Sequence, residues 1–249
     1  MRTIALDRTL LPLVALGIAA CRVSSTAPNR PTLTLSFSSA APALVASASL
    51  APNFDISVTS GANTLVITKA QLVVRKIELK SLATTTCSED GIGADDCDEI
   101  ELGTRLVDLP VSDALAPATT ASIPEGTYRE IEFKVHKPGT DAVDAAFILA
   151  NPLFKDISVR VEGTYNGALF TFTSAVNEVV ELEFNPPVVI TAASNNITVQ
   201  VDLRTWFRNT DGTVIDPATA STGGPNASLV ASKIKASLRA FEDRDKDGK

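Results

Sequence analysis

Three cysteines, one histidine and a surplus of carboxylates are the side chains of this 249-residue sequence that could carry chemistry. Cys21 stands near the amino terminus, whereas Cys87 and Cys97 enclose the nine residues SEDGIGADD. Thiols can be alkylated, joined to each other or bound to a soft metal. The last choice needs further nitrogen or sulfur ligands at close spacing, which the sequence does not offer. Carboxylates gather in two places. Glu89, Asp90, Asp95, Asp96, Asp98 and Glu99 crowd the loop that Cys87 and Cys97 flank, and Asp243, Asp245 and Asp247 precede Gly248 as D-x-D-x-D-G. Hard oxygen ligands at such spacing suit calcium, while a solvated acidic turn and a frayed tail are the plainer readings. His136 follows Lys134 by two positions and precedes Lys137, and the alternation around it puts it on the polar side of a strand, at the surface. No G-x-S-x-G, H-E-x-x-H, P-loop or G-x-G-x-x-G occurs, so a hydrolase would have to rest on an unmarked pair of carboxylates. Trp206 and Phe207 directly follow a strand pattern, as a plug for the core or, if exposed, as a platform on which a sugar could stack.

The formal charge of −7 excludes a basic face for nucleic acid. Residues 1–20 combine Arg2 and Arg8 with an apolar run of about twelve residues, too short to span a bilayer as a helix. The run ends in Leu16-Gly17-Ile18-Ala19-Ala20-Cys21. This arrangement resembles the lipobox of bacterial lipoproteins, which implies a cleaved leader and a diacylglycerol thioether on Cys21. Two or more acyl chains give stable anchoring, since each buried methylene contributes about 0.8 kcal/mol. Arg22, where an aspartate would resemble an inner-membrane retention signal, directs the expectation to the outer membrane. Export also means an oxidising compartment, in which Cys87 and Cys97 are expected to form a disulfide and leave no thiol over. The expected organisation is a leader over residues 1–20, a lipidated cysteine and polar tether over 21–31, one domain over 32–241, and an acidic tail over 242–249. The spacing of Asp243, Asp245 and Asp247 resembles the first half of an EF-hand-type calcium loop. The sequence given stops at Lys249, before the bidentate acid such a loop needs.

The elements that must position these groups are strands. Runs rich in Val, Ile, Thr and Phe recur at residues 32–37, 54–58, 64–68, 71–80, 99–102, 127–136, 157–165, 168–174, 179–184, 188–191 and 197–203. In residues 127–136, Ile131, Phe133 and Val135 share one face and charged residues the other, the mark of an antiparallel sheet wetted on one side. Asn166-Gly167 predicts a type I′ hairpin, with Tyr165 opposite Ala168, Val161 opposite Phe172 and Val159 opposite Ser174. Gly163 then faces Phe170, whose ring could lie over bare backbone. Residues 142–150 predict a short helix stopped by Asn151-Pro152. A second starts at Asn226 or Ser228, where Val230, Ile234, Leu238 and Phe241 keep helical spacing; Ile234, Ala236, Leu238 and Ala240 would equally suit a strand. The fold class is all-β, an antiparallel two-layer β-sandwich with one or two short helices, one near the C-terminus.

Residues 71–79, Leu106-Val107-Asp108-Leu109, the phrase from Pro124 through Gly126 and Tyr128 to Ile131, and residues 201–207 together resemble uncharacterised bacterial lipoprotein domains that look like transthyretin-type sandwiches. The resemblance covers residues 54–207 and implies fold and location, with no catalytic residues to carry over; Tyr128 would cover the sandwich edge. The expectation is a lipid-anchored cell-envelope protein without enzymatic chemistry, structural or binding a protein or glycan partner, braced by calcium if by any ion. A carbohydrate-binding lipoprotein comes second and an envelope hydrolase third.

Overall fold

The computed structural model describes residues 31–39, 55–82, 98–100, 103–111 and 115–246. Among the described residues twelve strands run in chain order: β1 (Thr32–Ser38), β2 (Ile56–Ser60), β3 (Asn63–Ser81), β4 (Asp98–Ile100), β5 (Arg105–Leu109), β6 (Leu115–Ser122), β7 (Gly126–Val135), β8 (Val159–Tyr165), β9 (Ala168–Ser174), β10 (Glu178–Ile190), β11 (Asn196–Val201) and β12 (Leu238–Glu242). Helix α1 (Ala142–Ala150) lies between β7 and β8, and α2 (Ala227–Ala236) precedes β12. The strands form a four-stranded sheet, β12-β11-β1-β6, and an eight-stranded sheet whose path is β10-β7-β3-β8-β9, with β2, β4 and β5 also on β3. The all-β sandwich with two short helices is thus the fold. One pairing departs from the antiparallel expectation: β1 and β11 run parallel, Thr34 beside Asn196. About 160 residues separate them, so no hairpin dictates their sense.

The larger sheet is organised on β3. The expected strands over 64–68 and 71–80 are one strand of 19 residues, bulged between Ile67 and Lys69 and again between Arg75 and Ile77, where Lys76 has φ 54°. One edge of β3 pairs in turn with β8 and β7. They meet at Val73, whose carbonyl accepts from His136 N at 3.0 Å and whose N–H donates to the Ser158 carbonyl at 2.7 Å. Strands β7 and β8 therefore follow one line, and residues 136–158 leave it and return to the same point.

The β8–β9 hairpin has the expected register, with Val161 opposite Phe172 and Asn166 and Gly167 at φ 51° and 81°. The reason for Gly163 is different from the one its partner suggests. It does face Phe170, but a Cβ there would strike the Val66 carbonyl of β3, beside the bulge. We expect Gly163→Ala to destabilise by about 1–3 kcal/mol in urea denaturation, the range for forcing atoms into packed space. Phe170→Ala should not relieve the loss, because backbone and not the ring fills the space.

The two halves of the large sheet are covered differently. Phe37 of β1 meets Phe133 of β7 edge-to-face at 6.1 Å, joining the small sheet to the β7 half. Over the other half lies the chain following β11: Phe207 packs at 5.0 Å from Phe172 and 6.1 Å from Phe170. Trp206 is fully buried and donates from Nε1 to Ser237 Oγ at 2.8 Å, so the Trp206–Phe207 pair is a core plug. Both patterns read after Asn226 occur in turn, since α2 buries Val230 and Ile234 and β12 then pairs Leu238 with Val201. The last strand runs into the stretch expected as an acidic tail. Glu242 pairs with Ile197 and Asp243 is buried, because Asn196 and Thr198 bond it from β11.

Candidate functional site

The excursion between β7 and β8 builds the site. Pro138 and Gly139 end the strand, and α1 runs to Ala150, where Asn151 Nδ2 donates to the Phe147 carbonyl at 3.1 Å and Pro152 stops the helix. Phe147 and Phe154 pack on Val73 with Leu106, Ile148 and Ile157, a small second core on the outer side of the large sheet. This is why residues 70–74 are buried continuously instead of alternately.

Asp144, in the first turn of α1, is fully buried and is the joint of the assembly. Its Oδ1 accepts from Thr104 Oγ1 at 2.6 Å and its Oδ2 from Gly139 N at 2.9 Å. His136 Nε2 stands 2.9 and 2.8 Å from the two oxygens. The expectation of a surface histidine is overturned: His136 is 5% exposed. Alternation ceases at Val135, and the chain turns beneath α1 instead of continuing outward. Burial pushes the Asp144 carboxyl up, but the bonds from Thr104, Gly139 and His136 outweigh it and hold it below the ordinary aspartate range. An ionised carboxylate accepts only, so Nε2 carries the proton. His136 Nδ1 is buried with no hydrogen-bond partner among the described residues. With one ring nitrogen on Asp144 and the other enclosed, the pair fixes α1 against β7 and the entry to β5.

Beside that joint lies a groove of about 570 Å³. Val143, Ala146, Phe147, Ala150 and Asn151 form one wall, at the i, i+3, i+4, i+7, i+8 spacing of a single helix face. Residues 103–106 form the other wall. Between Asp141 and Lys155 the one charged side chain is Asp144, turned inward, so the outer surface of α1 is apolar: Val143 is 58% exposed and Leu149 85%. Sequence reasoning missed this site, although a signal existed. A lone acid in an otherwise apolar helix needs a donor, and the only histidine stands eight residues before it.

The residues singled out from sequence fall elsewhere. Asp243 Oδ2 accepts from Thr198 Oγ1 at 2.8 Å, Asp245 is exposed, and Asp247 lies outside the described residues, as do Cys21, Cys87, Cys97 and residues 89–96. Tyr128 and Trp206 are buried and Tyr165 is half-buried. Among the described residues, Glu130, Glu132 and Glu181 bring carboxylate oxygens within 4.8 Å of one another. Lys80 already lies against two of them, at 2.6 Å from Glu130 and 3.0 Å from Glu132. Burial pushes the Lys80 ammonium down, but the two glutamates outweigh that and raise it far above the ordinary lysine value. The lysine is thus this cluster's own cation.

Among the described residues, no helix is long and apolar enough to cross a membrane. No protein-family model matches the chain, and no curated protein matches it. Among solved structures it is similar to MbnP from Methylosinus trichosporium, at 14% identity and a TM-score of 0.42, covering 81% of this chain and 86% of that one.

Proposed function

We propose that this chain is a lipid-anchored β-sandwich of the bacterial cell envelope, held at the outer membrane through Cys21, and that it works by binding a partner and not by covalent chemistry. The observation that carries the reading is the amino-terminal order of basic residues, a short apolar run and Leu16-Gly17-Ile18-Ala19-Ala20-Cys21. The enclosed His136–Asp144 pair agrees with it, because neither ring nitrogen is free to meet a substrate. The glycan-binding alternative loses its support with the burial of Trp206 and Tyr128. Cys87 and Cys97 form the disulfide of an exported protein in this reading. Calcium is not needed, and an ion at Asp243 would compete with the bond from Thr198.

Intact mass of protein extracted from membranes tests the anchor. The expected mass lacks residues 1–20 and carries acyl additions, and iodoacetamide without reductant adds nothing. Loss of the leader with no acyl addition, or a Cys21→Ser variant that still fractionates with membranes, sinks the anchored reading.

A further inference from the structure

We propose that the cleft where the end of α2 meets β11 and β12 binds a small hydroxylated oxyanion, a carboxylate or phosphate ester with a hydroxyl beside its charge. The cleft lies away from the His136–Asp144 joint, and the inference goes beyond the anchored, partner-binding reading above.

Two sequence periods bring its lining together. Along β11 and β12, Val199, Val201, Leu238 and Ala240 pack on the core, which leaves Gln200 and Arg239, paired in the ladder, on the outer face of the small sheet. At the end of α2, Lys233, Ala236 and Ser237 stand at i, i+3 and i+4, and that side of the helix borders the same space. Asp202, just past β11, lines it too. The cleft holds about 270 Å³, the share of about nine waters at ~30 Å³ each. That is room for a small molecule.

Its charged groups surround the space without meeting. Among the described residues, neither the Lys233 ammonium nor the Arg239 guanidinium has a hydrogen bond or an ion pair. In a chain of formal charge −7 cations are readily matched, and Lys235, two residues past Lys233, bonds Glu178 at 3.0 Å. Two unmatched cations on different walls suit one oxyanion, because charge-assisted hydrogen bonds are the strong ones. Asp202 then fixes what lies beside the anion. Its Oδ1 accepts from Arg204 N at 3.1 Å, and its Oδ2 has no partner among the described residues. A bare dianion is repelled there, whereas a neighbouring hydroxyl donates to the free oxygen.

The walls are set before binding. Asp202 N donates to the Ser237 carbonyl at 3.1 Å, and Ser237 Oγ accepts from Trp206 at 2.8 Å. These bonds tie the end of β11 to the end of α2, so association orders little of the protein.

The test is isothermal titration calorimetry of the detergent-solubilised full chain at low salt, with melting temperatures as the folding control for every variant. Gluconate and glycerol 3-phosphate are the probes, and acetate, inorganic phosphate and glycerol the comparisons. Both probes should bind about ten-fold or more tightly than the comparisons, and the tighter of the two shows whether carboxylate or phosphate is the anion read. Lys233→Gln and Arg239→Gln should each weaken binding about ten-fold or more. Ala236→Leu keeps both cations but fills the cleft, and it should abolish binding. Lys235→Gln removes a neighbouring cation outside the lining and should change affinity by less than about two-fold. No binding of either probe overturns the proposal. Inorganic phosphate binding as tightly as the probes also overturns it, as an adventitious ion only. A loss in Lys235→Gln as large as in Lys233→Gln does so too, since it marks diffuse surface charge. None of these readouts involves Cys21, so failure here and failure of the anchor are separate results.

Discussion

In a His136→Leu variant, the urea midpoint at neutral pH should fall by the equivalent of about 3 kcal/mol, with the slope unchanged. The cost comes from Asp144, left ionised and fully buried with one donor fewer. It belongs at the lower end for a broken buried pair because Thr104 and Gly139 still bond the carboxylate. His136→Gln, which keeps a donor, should recover part of the loss. The pH dependence has a definite sign. Asp144 titrates lower when folded than when unfolded, so its stabilisation is present above the unfolded value and is lost as pH falls through the folded one. The gap between wild type and His136→Leu should therefore be full at pH 7 and shrink below roughly pH 4. A gap that stays constant down to pH 3, or no gap at all, would show that the pair does not hold α1 in place.

Trp206→Ala should be more damaging, at about 3–5 kcal/mol, because it empties a fully buried site in the main core. Trp206 is fully buried, and Phe207 beside it packs on Phe170 and Phe172. Trp206→Phe separates the two contributions. It keeps most of the volume but removes the bond to Ser237, which in turn donates to the Ile234 carbonyl at 2.7 Å, so it should cost about 1 kcal/mol. Trp206 is the one tryptophan of the chain, and its emission should shift to the red on unfolding. Red emission from the native protein, or equal losses for the two variants, would contradict the plug.

Much of the frame is legible in the sequence because period two and turn chemistry are local. Ile131, Phe133 and Val135 on one face, and Asn166-Gly167 at a hairpin tip, need no knowledge of distant residues. What escapes is decided at long range. The sense of β1 against β11 is set by the whole sandwich and by no turn between them. Strand β6 was not anticipated because Pro117 interrupts its pattern, yet it lies at the edge of the small sheet, where a proline is tolerated. The same holds for the candidate site. His136 reads as a surface residue from its own strand, and only the return of α1 over that strand encloses it. Leu238 fits both a helix and a strand, and pairing with β11 decides the matter.

The two backbone bonds on Val73 have a consequence for how such a protein could diversify. Because the excursion departs and rejoins at a single residue, its length and content can change while the sheet beneath keeps every partner. The scaffold thus behaves as a fixed mount with an interchangeable head. Related sandwiches could acquire new specificities by swapping that insert alone, much as one handle accepts many tools.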